Sequence, residues 1–387
     1  MKIPFKYNLR NLFVRKATTF MTMLSIAFVV LVFIGVFSLS AGLEKAFAVT
    51  GDPDNLLVLR DGARSETESG VTMDVFRDIS VLPGVEAGPQ GQMASGELVV
   101  LQIFKRQDGS ESNVTVRGIM PSTREVRQGF EIVEGRDFVP GKGEIIVGDN
   151  LAGRFPDLAL GGQVRFGRID FQVVGVFTAG GGSAESEVMG AIEDIGSAFN
   201  RSNAVSSIRL RTSSKSSADQ IRASIEGDQR WRMKVMPETQ YYEEQTGATT
   251  LQIKLLGAIM AILMGFGACF AAANTMYSQV AGRSRELGTL RAIGFRRGHT
   301  FISVILESAL LGLLGGLLGV LLSLPLNGLS AGTTNFITFS EITFELTLTL
   351  PVMLKGVGLA ILTGVIGGLL PAFAVALRPI TDLLREA

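Results

Sequence analysis

The side chains that most often carry catalysis are scarce in this chain. It contains a single cysteine, Cys269, and a single histidine, His299, among 387 residues. One cysteine cannot form an intramolecular disulfide, and one histidine cannot build a multi-histidine zinc site. The segment 180–183 (GGGS) resembles a phosphate-binding loop, but it lacks the Lys-Ser/Thr of a P-loop, so we interpret it as a flexible loop. We therefore expect no catalytic, cofactor or metal site in this chain.

Paired carboxylates are the remaining candidates for acid–base chemistry. The pairs Glu185/Glu187 and Glu243/Glu244 have no histidine or cysteine anywhere in 42–250 to act with them, so we interpret both as solvated surface. The formal net charge of zero excludes a globally basic nucleic-acid binder. The chemistry left to this chain is docking and membrane insertion.

A short segment within 279–300 has the composition of a docking helix. It combines mixed charge with an apolar stripe, and its glycines allow close approach or helix ends. Such a helix can lie in a groove of a cytosolic partner; the alternative is a solvated loop whose arginines only fix membrane topology. The candidate residues are Arg283, Arg285, Glu286, Leu287, Gly288, Leu290, Arg291, Ile293 and Gly294.

Glu307 is the one acidic or basic residue well inside a predicted membrane span. Charges in that position are costly and indicate a function by default. We expect it to lie near the cytoplasmic interface, within reach of Arg296 or of headgroup water. It is then either a structural polar anchor or a participant in coupling.

Four runs without charged residues are long enough to place these side chains at a membrane. They cover 17–43, 255–282, 308–340 and 356–377, and about 20 apolar residues suffice to cross a bilayer. We predict spans at 18–41, 252–278, 301–326 and 352–377. The first run is about twice the length of a signal-peptide core of roughly 7–15 residues, so we expect it to stay uncleaved.

Basic residues in the short connecting segments predict the orientation. The segments 1–17, 279–300 and 378–387 are rich in Lys and Arg, whereas 327–351 contains none. Both termini and the 279–300 loop are therefore predicted to be cytoplasmic. Residues 1–17 also have apolar positions on one helical face with basic residues between them in sequence, as expected for an interfacial helix.

Small residues four positions apart recur in the last two predicted spans. This spacing lets helix backbones approach closely, either within one chain or in a dimer, and the sequence leaves both open. The glycines are Gly312, Gly315, Gly316, Gly319, Gly364 and Gly368.

The segment 42–250 is long enough for its own core and mixes strand and helix patterns. Residues 96–120 predict a hairpin around Asp108-Gly109, and 216–227 predict a short amphipathic helix before a strand. The predicted fold is an α-helical membrane protein with four transmembrane helices and a large α+β extracytoplasmic domain inserted between spans 1 and 2.

The sequence RSRELGTLRAIG at 283–294 resembles the cytoplasmic loop of MacB/FtsX-type ABC transporter permeases. Other landmarks of that family follow in order: an amphipathic entry helix, GEIIVGDNLAGRF followed by FQVVGVF, Glu307 with Gly315-Gly316, and Pro371 with Arg378-Pro379. The resemblance covers both ends and much of the middle, but is weak over most of 42–90 and 180–250.

This resemblance implies that the 279–300 loop is the coupling helix, with Arg285 and Glu286 making polar contacts to an ATPase while Leu287 and Leu290 fill its groove. It implies a stand-alone permease subunit of the bacterial cytoplasmic membrane, working as a homodimer with a dimer of separate ATPase subunits that bind ATP and Mg. Movement of the outer domain would then do work outside the membrane by mechanotransmission.

Three functions within this family stay open. Export with a periplasmic adaptor and lipoprotein release both fit the large outer domain, and activation of a cell-wall hydrolase fits it less well. A membrane-anchored sensor without an ATPase is the alternative outside the family, but it leaves the 283–294 sequence unexplained.

Overall fold

The computed structural model describes residues 16–385 apart from positions 90, 128 and 336. The described residues form two compact units. The first, here called the membrane unit, contains the described residues up to Ala41, Gln252–Leu329 and the described residues from Leu346 onward. The second, here called the sheet domain, contains Gly42–Leu251 and Ser330–Glu345. The interfacial helix predicted for 1–17 lies outside the described residues except for its last two positions.

The helices and strands are numbered in chain order. The helices are α1 (Lys16–Thr50), α2 (Met73–Ser80), α3 (Thr123–Val126), α4 (Asp149–Ala152), α5 (Ile192–Ala198), α6 (Lys215–Gly227), α7 (Glu238–Ala281), α8 (Ser284–Ala292), α9 (Arg297–Ser323), α10 (Leu350–Leu377) and α11 (Ile380–Arg385). The strands are β1 (Asn55–Arg60), β2 (Val71–Thr72), β3 (Ala87–Gly88), β4 (Gly91–Gln92), β5 (Ala94–Lys105), β6 (Glu111–Ile119), β7 (Glu131–Gly135), β8 (Glu144–Gly148), β9 (Gln163–Phe166), β10 (Ile169–Thr178), β11 (Glu187–Ala191), β12 (Ala204–Val205), β13 (Ser207–Arg211), β14 (Met233–Pro237), β15 (Ser330–Thr334) and β16 (Glu341–Glu345).

Four of the described helices are long and apolar enough to cross a membrane: α1, α7, α9 and α10. Together with the large α+β domain between the first two, they confirm the predicted fold class. α1 continues to Thr50 and α7 begins at Glu238, so both helices extend beyond the predicted spans into the sheet domain. α10 begins with Pro351 in its first turn, where the missing N–H costs nothing, and Pro379 follows its end.

The sheet domain is built on one ten-stranded sheet with the order β14-β1-β13-β5-β6-β11-β8-β10-β7, with β9 paired to β10. Most neighbours are antiparallel, but β6 pairs with β11 and β8 with β10 in parallel. The predicted hairpin is confirmed, because β5 and β6 pair along their length around a turn in which Gly109 has a φ of 82°. The predicted amphipathic helix corresponds to α6, which buries Ile221 and Ile225.

The segment between the last two spans is more than the plain loop that the sequence predicted for 327–351. Its central part forms the antiparallel hairpin β15–β16, which belongs to the sheet domain. Glu341 on β16 is buried and forms ion pairs with Arg106 (2.8 Å) and Arg154 (3.2 Å). These ion pairs fasten the hairpin to the β5–β6 turn and to the segment after α4, contacts that a local sequence pattern does not encode.

The helix α10 packs directly against α9 through glycines. A Cβ atom on Gly312 would lie 2.5 Å from the carbonyl oxygen of Ala360, and one on Gly364 would collide with the carbonyl oxygen of Ser308. The same contact includes Gly316 and Gly368. The two backbones therefore approach as closely as the small-residue spacing allows.

Two further glycines of α9 face α1 instead. A Cβ atom on Gly315 would lie 2.9 Å from Cβ of Ile26, and one on Gly319 would lie 2.6 Å from Cβ of Val30. All six glycines singled out in the sequence thus lie on contacts between helices of one chain, which accounts for their spacing without a dimer.

Exchanging Gly364 for alanine is expected to destabilise the membrane unit by about 1–3 kcal/mol, because the added methyl overpacks the α9–α10 contact. Gly358→Ala is the matched control on the same helix, since a Cβ there meets nothing within 4 Å. Cys269, the sole cysteine, lies in α7 and is partly buried, so its reaction with a thiol-specific dye on heating follows unfolding of this unit. Equal midpoints for the two variants would contradict the assigned contact.

Candidate coupling site

The 279–300 segment folds into one short helix, α8, with a defined beginning and end. Arg283 occupies its N-cap, Glu286 lies in its first turn and Arg291 in its last, so the charges complement the helix dipole. The helix ends where Gly294 adopts a φ of 111°. The N–H of Gly294 donates to the carbonyl oxygen of Arg291 (3.2 Å), and the N–H of Phe295 donates to the carbonyl oxygen of Leu290 (3.2 Å). This pair of hydrogen bonds is a Schellman motif.

Glu307 holds the beginning of α8. Its fully buried carboxylate accepts two hydrogen bonds from Arg283, at 3.2 Å from Nη1 and 2.9 Å from Nη2. The expectation that Glu307 reaches Arg296 or headgroup water is therefore wrong, because the guanidinium of Arg283 occupies both carboxylate oxygens. This bidentate pair connects the N-terminal end of α8 to α9.

Arg291 holds the other end of α8. Its buried side chain donates through Nη1 to the carbonyl oxygens of Arg378 (2.6 Å) and Val375 (3.4 Å), where α10 ends. Helix C-termini leave carbonyl groups unpaired, and a guanidinium satisfies them well. The two arginines therefore connect α8 to both of the last two spans.

Two of the three residues in the apolar stripe, Leu287 and Leu290, pack into this chain rather than outward. Leu287 is 1% exposed and packs with Met276, Val304 and Val375 in one buried cluster, against which Leu290 is also packed. The role in filling a partner's groove that the resemblance implied for Leu287 is therefore wrong. An amphipathic pattern shows which face of a helix is buried, but not against what.

The outward face of α8 carries mostly polar side chains. Arg285, Glu286 and Thr289 are exposed, and Ile293 after the helix is 69% exposed. Gly288 lies on the buried face of α8. Arg283 and Arg291 hold the helix in place. The predicted docking residues that are exposed to a partner are Arg285, Glu286, Ile293 and Gly294.

The sheet domain contains a second set of functional candidates that the sequence analysis missed, a layer of buried ionic side chains. Glu97 on β5 lies at its centre. Its carboxylate accepts hydrogen bonds from Arg117 (2.7 Å), Arg127 (2.9 Å) and Arg209. Glu97 and Arg209 are both fully buried. We call these residues and the carboxylates paired with them the ionic network.

Three more carboxylates complete the ionic network. Arg117 forms hydrogen bonds to Glu187 (2.6 Å) and Glu66 (3.0 Å). Arg209 is within ion-pair distance of Glu66 (3.1 Å) and donates to Glu238 (2.8 Å). Three guanidinium groups thus share four carboxylates, and Glu97, Glu66, Arg117 and Arg209 each have more than one charged partner.

The ionic network includes the first turn of α7. Glu238 opens that helix and also accepts a hydrogen bond from Nδ2 of Asn55 (2.9 Å). The hydroxyl of Tyr242 accepts from Arg209 (3.2 Å), and that of Tyr241 accepts from the N–H of Glu66 (3.2 Å). The start of the helix that leads into the second span is therefore held by charged groups of the sheet.

Glu97 and Glu66 of the ionic network are ionised despite their burial. Desolvation alone would raise the pKa of Glu97, but the charges of Arg127, Arg209 and Arg117 outweigh it and hold the pKa at about 2. The pKa of Glu66 also lies well below its ordinary value, since the attraction of Arg117 and Arg209 exceeds the desolvation effect. At neutral pH both carboxylates are therefore charged and paired with arginines.

The interpretation of Glu185 and Glu187 as solvated surface is wrong. Glu187 belongs to the ionic network, and Glu185 is buried, where its Oε1 accepts from the hydroxyl of Thr178 (2.6 Å) and the N–H of Gly181 (2.8 Å). This carboxylate orders the turn at 180–183, in which Gly180 has a φ of 65°. The turn thus has a structural partner within the domain.

Two sequence families match this chain in succession. A family described as "MacB-like periplasmic core domain" matches residues 19–228, and one described as "FtsX-like permease C-terminal" matches residues 258–380. The first match alone covers more than half of the chain.

Individual relatives agree with these matches. The chain is 25% identical over 421 aligned residues to "Macrolide export ATP-binding/permease protein MacB" of Chlorobium luteolum, an alignment that covers 97% of this chain and 59% of that protein. It is 32% identical over 148 residues to the protein of the same name in Bordetella avium, covering 38% and 21%. The chain spans less than two thirds of the length of the curated relatives it matches.

Solved structures of outer domains also match. The periplasmic region of MacB from Actinobacillus actinomycetemcomitans is 12% identical, with 53% of this chain and 94% of that chain covered and a TM-score of 0.37. The extracellular domain of the noncanonic ABC-type transporter YknZ from Gram-positive bacteria is 18% identical, covering 47% and 99% with a TM-score of 0.36.

Proposed function

The chain belongs to the MacB/FtsX family of ABC transporter permeases, and from this membership we propose that it converts ATP binding and hydrolysis by an ATPase into movement of its sheet domain. ATP and Mg bind to the ATPase in this proposal, and this chain is the non-catalytic, membrane-spanning part. The single observation that carries the proposal is the geometry of α8, which exposes Arg285 and Glu286 while both of its ends are fastened to spans.

The fastening of α8 is what a coupling element requires. A force applied to its exposed face reaches α9 through Arg283–Glu307 and the end of α10 through Arg291. Each of these connections is a charge-assisted hydrogen bond to a buried or helix-terminal acceptor, which resists displacement better than contact through a mobile surface side chain. A loop that only fixed topology would need none of them.

The ionic network supplies the corresponding attachment at the far end of α7. The first turn of this helix is bound through Glu238 to Arg209 (2.8 Å), and its later turns form the second span. A displacement of the helix along its axis would therefore act directly on the strands that carry the network. This arrangement supports the proposed mechanotransmission to the sheet domain.

Export with a periplasmic adaptor is the family function that we favour, since the curated relatives are named as macrolide exporters. Lipoprotein release and activation of a cell-wall hydrolase are the alternatives within the family. We further propose that the chain works as a homodimer with two ATPase subunits, in the bacterial cytoplasmic membrane with both termini and α8 on the cytoplasmic side. A membrane-anchored sensor would not need the fastened α8.

Reversing the charge of Glu286 tests the proposal. Glu286→Arg is expected to reduce recovery of a P-loop ATPase at least tenfold when the tagged chain is purified from its native membrane in mild detergent, because an exposed contact of the coupling helix becomes repulsive. Glu193→Arg reverses the charge of another exposed glutamate, in the sheet domain, and is the control that should leave recovery unchanged.

The co-purifying proteins decide between the alternatives. An adaptor recovered with the ATPase supports export, and a hydrolase supports regulation. Recovery of the wild-type chain without any ATPase, even after crosslinking with a non-hydrolysable nucleotide present, would refute the proposal and favour the sensor.

A further inference from the structure

The short helix α11 packs against α8. The preceding helix α10 ends at Leu377, Pro379 follows, and α11 begins at Ile380. Leu383 faces inward and is only 1% exposed, and its N–H donates to the carbonyl of Pro379 (3.3 Å). A six-residue helix is unstable in isolation, so its structure depends on this packing.

Arg291 connects α8 to the segment between α10 and α11. It extends from the last turn of α8 and donates to the carbonyl of Arg378, one residue before Pro379. The guanidinium therefore fixes where α11 departs from α10. Because Arg291 is buried in doing so, its role is to position α11 rather than to contact a partner.

The exposed residues of α8 and α11 include several charged side chains. Thr381 and Asp382 are exposed on α11. Four exposed arginines and two exposed carboxylates lie on the two helices and their flanking turns: Arg285, Arg296, Arg297, Arg378, Glu286 and Asp382. Such a surface fits a protein partner that offers a mainly acidic patch with a few basic groups.

We propose that α8 and α11 together form a single two-helix docking platform for the ATPase, so that the tail after the last span is part of the contact. The proposal rests on the proposed function, and it assigns α11 a direct role in binding. Arg291 is the positioning residue of the platform. A movement of the ATPase would then act on the end of α10 through α11 as well as through Arg291.

Charge reversal at Asp382 tests the platform. The wild-type permease in lipid nanodiscs is titrated with the purified ATPase that co-purifies with it, and the dissociation constant is compared with those of Glu286→Arg and Asp382→Arg. Asp382→Arg is expected to weaken binding about tenfold, a loss similar to that of Glu286→Arg. Lys355→Glu, an exposed reversal near the opposite end of α10, should bind like the wild type.

A second measurement separates direct contact from a disturbed fold. In a Cys269→Ser background, Asp382→Cys is expected to crosslink to the ATPase with a short thiol–amine reagent, as Glu286→Cys does, whereas Lys355→Cys does not. Crosslinking and weaker binding at both positions support the platform. If only the Glu286 variants respond, α11 is not part of the contact and the proposed function stands. If neither position responds while the ATPase binds, the coupling-site assignment itself is overturned.

Discussion

Replacing Glu307 by alanine is expected to destabilise the membrane unit by about 3–5 kcal/mol, because Arg283 would lose its bidentate partner while remaining mostly buried. The Arg283 side chain is 14% exposed and the Glu307 side chain is not exposed at all. Glu307 lies ten residues into α9, roughly 15 Å from its start at 1.5 Å per residue. Without Glu307, the guanidinium of Arg283 would lose its carboxylate and still have little access to water.

The effect is measured by the temperature at which Cys269 becomes reactive to a thiol-specific dye. Glu307→Ala and Arg283→Ala should each lower it, and the double variant should lower it by less than the two losses combined, since it leaves no unpaired charge. Arg285→Ala removes an exposed arginine two positions away and is the matched control. Additive losses in the double variant would show that the two residues do not stabilise each other.

The membrane architecture could be predicted because the bilayer imposes a strong and local rule on sequence. A run such as 17–43 without any charge has few stable alternatives to a membrane helix. The same rule singled out Glu307, since a charge inside such a run is rare. Its partner could not be predicted in the same way, because Arg283 lies 24 residues earlier in the sequence, whereas the expected arginine, Arg296, is nearer in sequence.

The orientation of α8 shows a different limit. Leu287, Leu290 and Ile293 form a stripe in the sequence, and a stripe predicts a buried face. The structure uses Leu287 to cover this chain's own spans and leaves Ile293 exposed. Whether such a face packs internally or against a partner depends on neighbours that are distant in sequence, so helical periodicity alone does not decide it.

The ionic network was missed because charged residues in strands ordinarily indicate solvent. Glu97, Arg117 and Arg209 each lie in a strand that carries a second charged residue, namely Lys105, Glu111 and Arg211, so none of them stands out in its strand. Glutamate and arginine are almost never fully buried unless they are paired. The pairing here joins β5, β6 and β13 with the start of α7, and only the assembled sheet brings these elements together.

The second large effect is expected from a substitution in the ionic network. Arg209→Met is expected to destabilise the sheet domain by about 3–5 kcal/mol, since methionine fills part of the volume but leaves the carboxylates of Glu66, Glu97 and Glu238 short of a buried partner. Trp231, the sole tryptophan, packs against the core of this domain. Its fluorescence during urea unfolding therefore reports the free energy of unfolding of the sheet domain.

The dependence on pH identifies the cause of the loss. Glu97 has a pKa of about 2 in the folded domain against an ordinary value of 4.5. A carboxylate with a lowered pKa stabilises the fold above pH 4.5 and loses that contribution as the pH falls toward 2. The difference between wild type and Arg209→Met should therefore be largest above pH 4.5 and should narrow below it, because a protonated Glu97 no longer needs the arginine.

Arg165→Met is the control, since Arg165 lies on β9 with its side chain 67% exposed and a 3.7 Å ion pair to an equally exposed Asp170. Exposed pairs of this kind contribute about 0–1 kcal/mol. If Arg165→Met lowers the free energy of unfolding only slightly and Arg209→Met lowers it strongly and in a pH-dependent way, the buried charges stabilise the contact between the sheet and the start of α7. Similar losses in both variants, or a difference unchanged between pH 4.5 and 2, would instead mean that the network is dispensable. The sheet domain would then have to be held to α7 by its apolar contacts alone.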